Sequence, residues 1–279
     1  MIAGGCVVKA SDIFGRNKSV IGMIHVGALP GTPFAREGLG TLVKRAASEA
    51  KMLSACGFDC LMIENMHDRP YVHGDHGPET VAAMTAVGLA VRDAAPKHPL
   101  GVQILSGGNK EAIAVAQTIG AAWIRCENFV FSHVADEGLL PKAEAGDLLR
   151  YRRSIGADGI RVFADVKKKH ASHAITADVS LAEAVEASVF FGADGVIVSG
   201  SATGKPVELE DLQAARRATT LPVLVGSGVR PESAKKLFAF ADALIVGSYY
   251  KRGGTWGHAP DKTRCRRLIQ AVEKARRDD

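Results

Sequence analysis

The sequence lacks any run of 18 apolar residues, the length a helix needs to cross a bilayer, so no integral membrane segment is expected. It also lacks a C-x-x-C pair. Its five cysteines, Cys6, Cys56, Cys60, Cys126 and Cys265, are odd in number and scattered. Cys56 closes a predicted helix and Cys60 enters a predicted strand, so the two do not make a zinc knuckle. Reduced, buried thiols and a cytoplasmic location are the expectation. Residues 1–15 have neither a basic start nor a long apolar stretch, so they do not read as a secretory leader. Aromatics are scarce, at 6%, and are not interleaved with basic residues as a nucleic-acid groove requires. The net charge of +5 is spread along the chain. Only Lys167-Lys168-Lys169 and the cluster Arg264, Arg266 and Arg267 are dense, and they read as solvated surface with a mild preference for anions. No nucleic-acid partner is expected.

What the sequence does have is one rhythm, repeated along its 279 residues. Short apolar runs, often β-branched, alternate with amphipathic segments. The runs are Val20–Val26, Phe58–Ile63, Leu100–Leu105, Ala122–Cys126, Ile160–Val166, Gly195–Val198, Pro222–Val225 and Ala243–Val246. They predict buried parallel strands. Between them, Ala112, Val115, Ala116 and Ile119 keep helical spacing, as do Leu181, Ala184, Val185 and Ser188, and Cys265, Leu268, Ile269 and Val272. Further helices are predicted over Leu42–Cys56, Glu79–Ala95, Ala143–Ser154, Glu208–Arg217 and Pro231–Phe238, with Pro231 in a first turn. Gly57-Phe58-Asp59, Gly120-Ala121-Ala122, Gly156-Ala157-Asp158 and Gly192-Ala193-Asp194 form a weak internal repeat, each glycine stopping a helix just ahead of a strand. Eight strand–helix units without a linker predict an α/β fold, a closed (β/α)8 or TIM barrel. It forms one domain over residues 1–279, with residues 1–18 peripheral. A doubly wound open sheet is the alternative.

In such a barrel the chemistry sits where strands run out into the following loops. The seventh strand ends in Gly226-Ser227-Gly228 and the eighth in Gly247-Ser248. Glycines admit an anion to backbone N–H groups, serine hydroxyls add donors, and a following helix N-terminus adds partial positive charge. These loops are the usual phosphate position of the fold, so a phosphorylated small molecule is the expected partner. Ser199, Gly200, Thr203 and Gly204 after the sixth strand extend that site, and Lys251 supplies a point charge beside it. His25 ends the first strand as an acid/base, a ligand binder or a satisfied core histidine. Glu64 ends the second and Arg125 lies in the fourth, either as functional groups or as an ion pair across the barrel. Asp165 interrupts the apolar fifth strand and is the expected central general base or metal ligand. His67, Asp68, His73, Asp75 and His76 match no zinc spacing and read as a solvated lid. The loop with His133, Asp136 and Glu137 is long enough to be a second lid. No cofactor is required and no metal site is assigned, although the carboxylates leave room for a divalent cation. A homo-oligomer is compatible with all of this.

These motifs together resemble the BtpA family. The matching residues are Ile21-Gly22-Met23-Ile24-His25 with Leu29-Pro30-Gly31-Thr32-Pro33, and Glu64-Asn65 with Asp68-Arg69-Pro70-Tyr71. Ile124-Arg125 with Asp136-Glu137-Gly138, and Ala164-Asp165-Val166 with Lys169-His170, follow. Ser199-Gly200 with Thr203-Gly204, Val225-Gly226-Ser227-Gly228, Ile245-Val246-Gly247-Ser248 and Lys251 complete the match. Two places depart from the pattern: Glu137 stands where an amide is usual, and Lys167-Lys168 replaces a His-Val pair. The resemblance implies a phosphate-binding TIM barrel. The family's name implies a role in photosystem I biogenesis, while some members resemble sugar-metabolism proteins. Two functions are therefore carried forward. One is an enzyme (isomerase, lyase or transferase) acting on a sugar phosphate or nucleotide. The other is an assembly or regulatory factor for a membrane complex.

Overall fold

The computed structural model describes residues 9–200 and 203–278. Cys6, Ser201, Ala202 and the first part of the segment expected to be peripheral lie outside them. Among the described residues the strands are β1 (Ser19–His25), β2 (Cys60–Glu64), β3 (Leu100–Gln103), β4 (Trp123–Cys126), β5 (His133–Ala135), β6 (Gly138–Leu140), β7 (Arg161–Val166), β8 (Ala171–Ser172), β9 (Gly195–Val198), β10 (Val223–Val225) and β11 (Ala243–Val246). The helices are α1 (Ala10–Phe14), α2 (Leu39–Cys56), α3 (Pro78–Ala94), α4 (Asn109–Ile119), α5 (Ala145–Ser154), α6 (Leu181–Phe190), α7 (Leu209–Ala218), α8 (Ala234–Phe238) and α9 (Lys262–Arg277). Eight parallel strands close in the order β1-β2-β3-β4-β7-β9-β10-β11, with Ser19 of β1 in register with Ala243 of β11. The open-sheet alternative is excluded. Pro231 lies in the turn ahead of α8 and not in its first turn.

Alternation along each strand sorts the core into two. Val20 and Ile24 of β1, Leu61 and Ile63 of β2 and Val162 and Ala164 of β7 face outward onto the helices. Ile21 and Met23, Cys60 and Met62, Trp123, Phe163, Ile197, Leu224 and Ile245 fill the barrel. Glycines make that filling fit. A Cβ on Gly101 would lie 2.4 Å from the Trp123 ring, and one on Gly195 would lie 2.3 Å from the Phe163 ring. The described part of the N-terminal segment is not peripheral. Phe14 of α1 is buried edge-on against Trp123 and beside Phe163, so α1 plugs the end of the barrel where the strands start. Cys56, Cys60, Cys126 and Cys265 are buried free thiols.

Two aspartates of the internal repeat, Asp59 and Asp194, share a role with Asp242, which lies outside it. Asp59, Asp194 and Asp242, each just before a strand, accept the backbone N–H of Val20, Val162 and Val223 at 2.8, 2.9 and 2.8 Å. Each aspartate clasps its own strand to a neighbour, and Arg276, Arg152 and Arg216 respectively neutralise it. At the opposite end, the loop after β4 folds into the β5–β6 hairpin, and β8 pairs with β5 to complete a three-stranded antiparallel sheet. The expected lid thus has a sheet of its own. No described helix is long and apolar enough to cross a membrane.

Candidate functional site

Continuing the inward rows of the barrel by one step builds the site. After Ile21 and Met23 comes His25; after Cys60 and Met62 comes Glu64; after Trp123 comes Arg125; after Phe163 comes Asp165. A two-residue period therefore aims all four side chains into the mouth. The same rows reach Gly226 beyond β10 and Gly247 beyond β11, where a Cβ would lie 2.5 Å from the Ser199 hydroxyl and 3.0 Å from the His25 ring. The resulting cavity is lined by His25, Glu64, Arg125 and Lys169 on one side. Thr203, Gly204 and the loops Gly226–Arg230 and Gly247–Tyr249 line the other.

On the glycine side, no acceptor among the described residues takes the N–H groups of Ser227, Gly228, Val229, Gly247 or Ser248. They are donors facing a cavity, the arrangement that binds an anion. Other expected donors are committed elsewhere. The Gly226 N–H donates to the Val198 carbonyl at 2.8 Å. The Ser227 hydroxyl accepts the Gly200 N–H at 2.9 Å and donates to the Lys205 carbonyl at 3.2 Å, so it braces the loop. Ser199 accepts from the Arg125 guanidinium at 3.3 Å. Ser199 and Gly200 therefore support the site from behind, while Thr203 and Gly204 line it. Gly228 adopts φ +70°, and a Cβ there would sit 2.2 Å from the Lys205 carbonyl oxygen, so only glycine fits. Helix charge contributes little, because α8 has five residues and α9 begins only at Lys262. The positive charge comes from Arg230, which was not singled out from sequence, and from Arg264, which was expected to be solvated surface; both line the cavity.

The Lys251 backbone N–H donates to the Ser248 carbonyl at 3.1 Å, but its side chain does not line this cavity. It is 1% exposed, paired with Glu49 of α2 on the outer side of the barrel wall.

On the side-chain side, Arg125 and Asp165 form a two-pronged ion pair, with contacts of 2.8 and 2.9 Å that engage both carboxylate oxygens. Burial works against the charge on Arg125, but Asp165 outweighs it and keeps the guanidinium pKa raised. The cross-barrel pair considered from sequence, Glu64 with Arg125, is thus replaced by Arg125 with Asp165. Glu64 instead stands in register with His25, its Oε2 3.5 Å from the His25 Nε2. His25 Nδ1 is 3.0 Å from the Trp256 carbonyl, which can only accept, so Nδ1 carries the proton and Nε2 turns a lone pair to Glu64. Burial pushes the His25 pKa down to about 3, helped by Lys251, and burial raises that of Glu64. Burial thus disfavours the charged form of each partner.

Lys169 was missed as a separate residue, although Lys169-His170 was among the matched motifs. The three lysines after β7 diverge. Lys167 donates to the Val179 carbonyl at 2.6 Å, Lys168 is buried 3.3 Å from Glu127, and Lys169 enters the cavity. The run is therefore not a solvated surface block. Burial first, and then Arg125, lower the Lys169 pKa. His170 accepts the Thr203 N–H at 3.0 Å and so ties the loop after β7 to the loop after β9. The histidines after β2 disperse: His67 packs 4.8 Å from the Trp256 ring, His76 sits 3.2 Å from the Ser106 carbonyl, and Asp68 accepts the Leu29 N–H at 2.8 Å.

Comparison with known proteins agrees with this architecture. The BtpA family profile matches residues 16–274. An uncharacterized mitochondrial protein of Caenorhabditis elegans is 44% identical over 262 residues, spanning 92% of this chain and 94% of its own. The photosystem I biogenesis protein BtpA of Synechocystis sp. is 34% identical, spanning 93% of this chain and 89% of its own. Among solved structures, (S)-3-O-geranylgeranylglyceryl phosphate synthase from Thermoplasma acidophilum, in complex with sn-glycerol-1-phosphate, superposes with a TM-score of 0.59. Its identity is 15% and the coverage is 95% of this chain and 97% of that one. 3-Hexulose-6-phosphate synthase from Salmonella typhimurium gives a TM-score of 0.57 at 14% identity, with coverage of 92% and 99%. At such identities the solved structures share the fold alone. The family match spans nearly the whole barrel, and the chain belongs to the BtpA family.

Proposed function

We propose that this protein is an enzyme acting on a small phosphorylated metabolite, a sugar phosphate or nucleotide, at the mouth of its barrel. One observation carries the reading: backbone donors of the β10 and β11 loops, without an acceptor among the described residues, line one cavity with buried ionisable side chains opposite. The phosphate lies on the N–H groups of Ser227 to Val229 and of Gly247 and Ser248, with Arg230 and Arg264 beside it. The rest of the substrate then reaches His25, Glu64, Arg125 and Lys169. Anchoring a remote phosphate aligns the reacting centre. That one solved barrel holds the substrate sn-glycerol-1-phosphate and the other is named for 3-hexulose-6-phosphate supports the reading.

The proposed chemistry is proton transfer, of the isomerase or lyase kind. A carboxyl with a raised pKa donates a proton, and an amine with a lowered pKa accepts one. Glu64 and Lys169 have these tendencies. His25 holds the proton on Glu64 in place, and Arg125 stabilises negative charge developing on a substrate oxygen. Asp165, with both oxygens on Arg125, serves as a positioning residue in this scheme, and the acid/base role expected of it passes to Glu64.

The test is a thermal-shift screen with inorganic phosphate, sugar phosphates and nucleotides. A ligand at a hundred times its Kd stabilises the folded state by about 2.7 kcal/mol. Ser248→Asp places a carboxylate among the backbone donors and is expected to remove that shift. Gly228→Asp is a poorer probe, because its Cβ would meet backbone. A full shift retained in Ser248→Asp would place the anion elsewhere and end the proposal.

A second reading, assembly of a membrane complex, draws on the name of the Synechocystis relative and on one surface feature. At the end of α6, Phe190 is 77% exposed beside exposed Phe191, with their rings edge to face. Large exposed apolar groups of this kind suit a protein contact. Co-purification with a membrane complex that is lost in Phe190→Ser would favour it.

A further inference from the structure

A second cavity, about 650 Å³, opens on the outer side of His25, between α2 and the loop after β11. It shares His25 with the mouth, and Trp256 and Arg69 line both this cavity and the mouth's extension toward β3 and β4. Its walls are aromatic. The Arg69 guanidinium lies 5.1 Å from the Trp256 ring centroid and 5.9 Å from that of Phe34. The His67 ring adds to them, its pKa pushed down to about 4 by burial and by Arg69.

Its charges leave donors over. Glu49 is taken by Lys251, and Glu37 by Arg45. Among the described residues, Arg36 and Arg69 face no carboxylate. Arg36 spends one nitrogen on the Pro33 and Ala35 carbonyls, at 3.1 and 2.9 Å. A pocket with aromatic faces and surplus guanidinium donors suits a flat ring with carbonyl or ring-nitrogen acceptors on its edge.

We propose that this cavity holds the base of a nucleotide whose phosphate occupies the β10 and β11 loops, which makes a nucleotide the substrate class. The inference rests on the phosphate reading above for the second half of the ligand only. His25, between the two cavities, then lies against the sugar joining base to phosphate, so the reacting atoms belong to that sugar or its bond to the base.

The experiment measures binding by calorimetry for the four nucleoside 5′-monophosphates, their nucleosides and ribose 5-phosphate. Wild type is compared with Ser48→Trp and Ser248→Asp. Ser48 is an exposed position of α2 that lines only the second cavity, so a tryptophan there fills it without touching the mouth. At least one nucleotide is expected to bind about tenfold or more tightly than ribose 5-phosphate, as stacking on an aromatic ring provides. Ser48→Trp should bring that nucleotide down to the level of ribose 5-phosphate and leave ribose 5-phosphate unchanged. Ser248→Asp should abolish ribose 5-phosphate binding and spare the matching nucleoside. The inference is overturned if no nucleotide or nucleoside binds better than ribose 5-phosphate, or if Ser48→Trp weakens both ligands equally. Nucleoside binding that is blocked by Ser48→Trp, with ribose 5-phosphate failing to bind at all, would uphold the base pocket while removing the phosphate reading.

Discussion

The two sides of the barrel mouth are built by different means. The side formed by β9, β10 and β11 offers backbone: glycines where a Cβ would crowd its neighbours, and N–H groups that find no acceptor among the described residues. The side formed by β1, β2, β4 and β7 offers side chains whose properties depend on their partners, as in Arg125 with Asp165 and His25 with Glu64. Backbone donors hold their position and charge whatever the pH. Buried side chains change both with each lost partner. Damage to the first side should therefore show in ligand binding, and damage to the second in stability, turnover and pH dependence.

The largest effect expected is from Arg125→Met. It leaves Asp165 buried with neither oxygen paired, and breaking a buried pair from one side costs about 3–5 kcal/mol. For a chain of this size the melting temperature should fall by on the order of 10 °C. A fall no larger than that of Ser248→Asp would erase the proposed difference between the sides.

Glu64→Gln keeps shape and most hydrogen bonding but removes the exchangeable proton. Once the ligand screen supplies a substrate, turnover should drop about a hundredfold, the scale of one acid/base group. Binding of phosphorylated ligands should stay near wild type. Unchanged turnover would leave the chemistry to Lys169 or to another group.

The pH dependence sharpens the contrast. The His25 pKa is pushed down to about 3 in the folded protein, against about 6.5 in an unfolded chain. The unfolded chain therefore takes up the proton first on acidification. Stability from this group is complete above about pH 6.5 and is lost as the pH falls toward 3. Glu64 acts in the opposite sense: its raised pKa favours the folded state at low pH and withdraws that contribution as the pH rises through it. His25→Gln should thus flatten part of the decline in melting temperature between pH 6.5 and 4, a range over which His25, like His67 and His133, stays uncharged in the fold. Parallel melting profiles for variant and wild type would mean that His25 is not held neutral.

The backbone side was the more legible in sequence because glycine carries its meaning at its own position. Gly228 and Gly247 mark a tight approach whatever surrounds them. All eight barrel strands were legible for a similar reason, since a short apolar run between turn signals has one meaning in a repeating βα chain. Partnership was not legible. Asp165 read as a free base because its strand gave no sign of Arg125 reaching it from β4, and Lys251 read as a phosphate ligand because α2 is 202 residues away from it along the chain. Trp256 and Arg230 sit in loops with no periodic pattern, so no spacing rule singled them out. The cover sheet escaped because strands of two and three residues carry no pattern of their own.

The smallest effect expected concerns the two departures from the family pattern, which sequence left separate and the fold brings together. Glu137, at the tip of the β5–β6 hairpin, lies 3.8 Å from the buried Lys168 Nζ, while Glu127 lies closer, at 3.3 Å. Glu127 also accepts the Gly107 N–H at 3.2 Å, and burial, which would raise its pKa, is outweighed by Lys168 and Arg125, so it stays lowered. A lysine at a position usually valine needs a carboxylate, and Glu127 meets most of that need. Glu137 supplies a weaker, longer contact, with Oε2 making no hydrogen bond among the described residues. Glu137→Gln should therefore cost little, because at 3.8 Å its carboxylate makes no hydrogen bond to Lys168 and the amide keeps its volume. Glu127→Gln should cost more, since charged hydrogen bonds are worth about 1.5–3 kcal/mol. Chemical denaturation of the two variants decides the order. If Glu137→Gln proves the costlier, the hairpin tip is the main counter-charge for Lys168, and the cover sheet is fastened to the barrel by that pair more than by its strand pairing with β8.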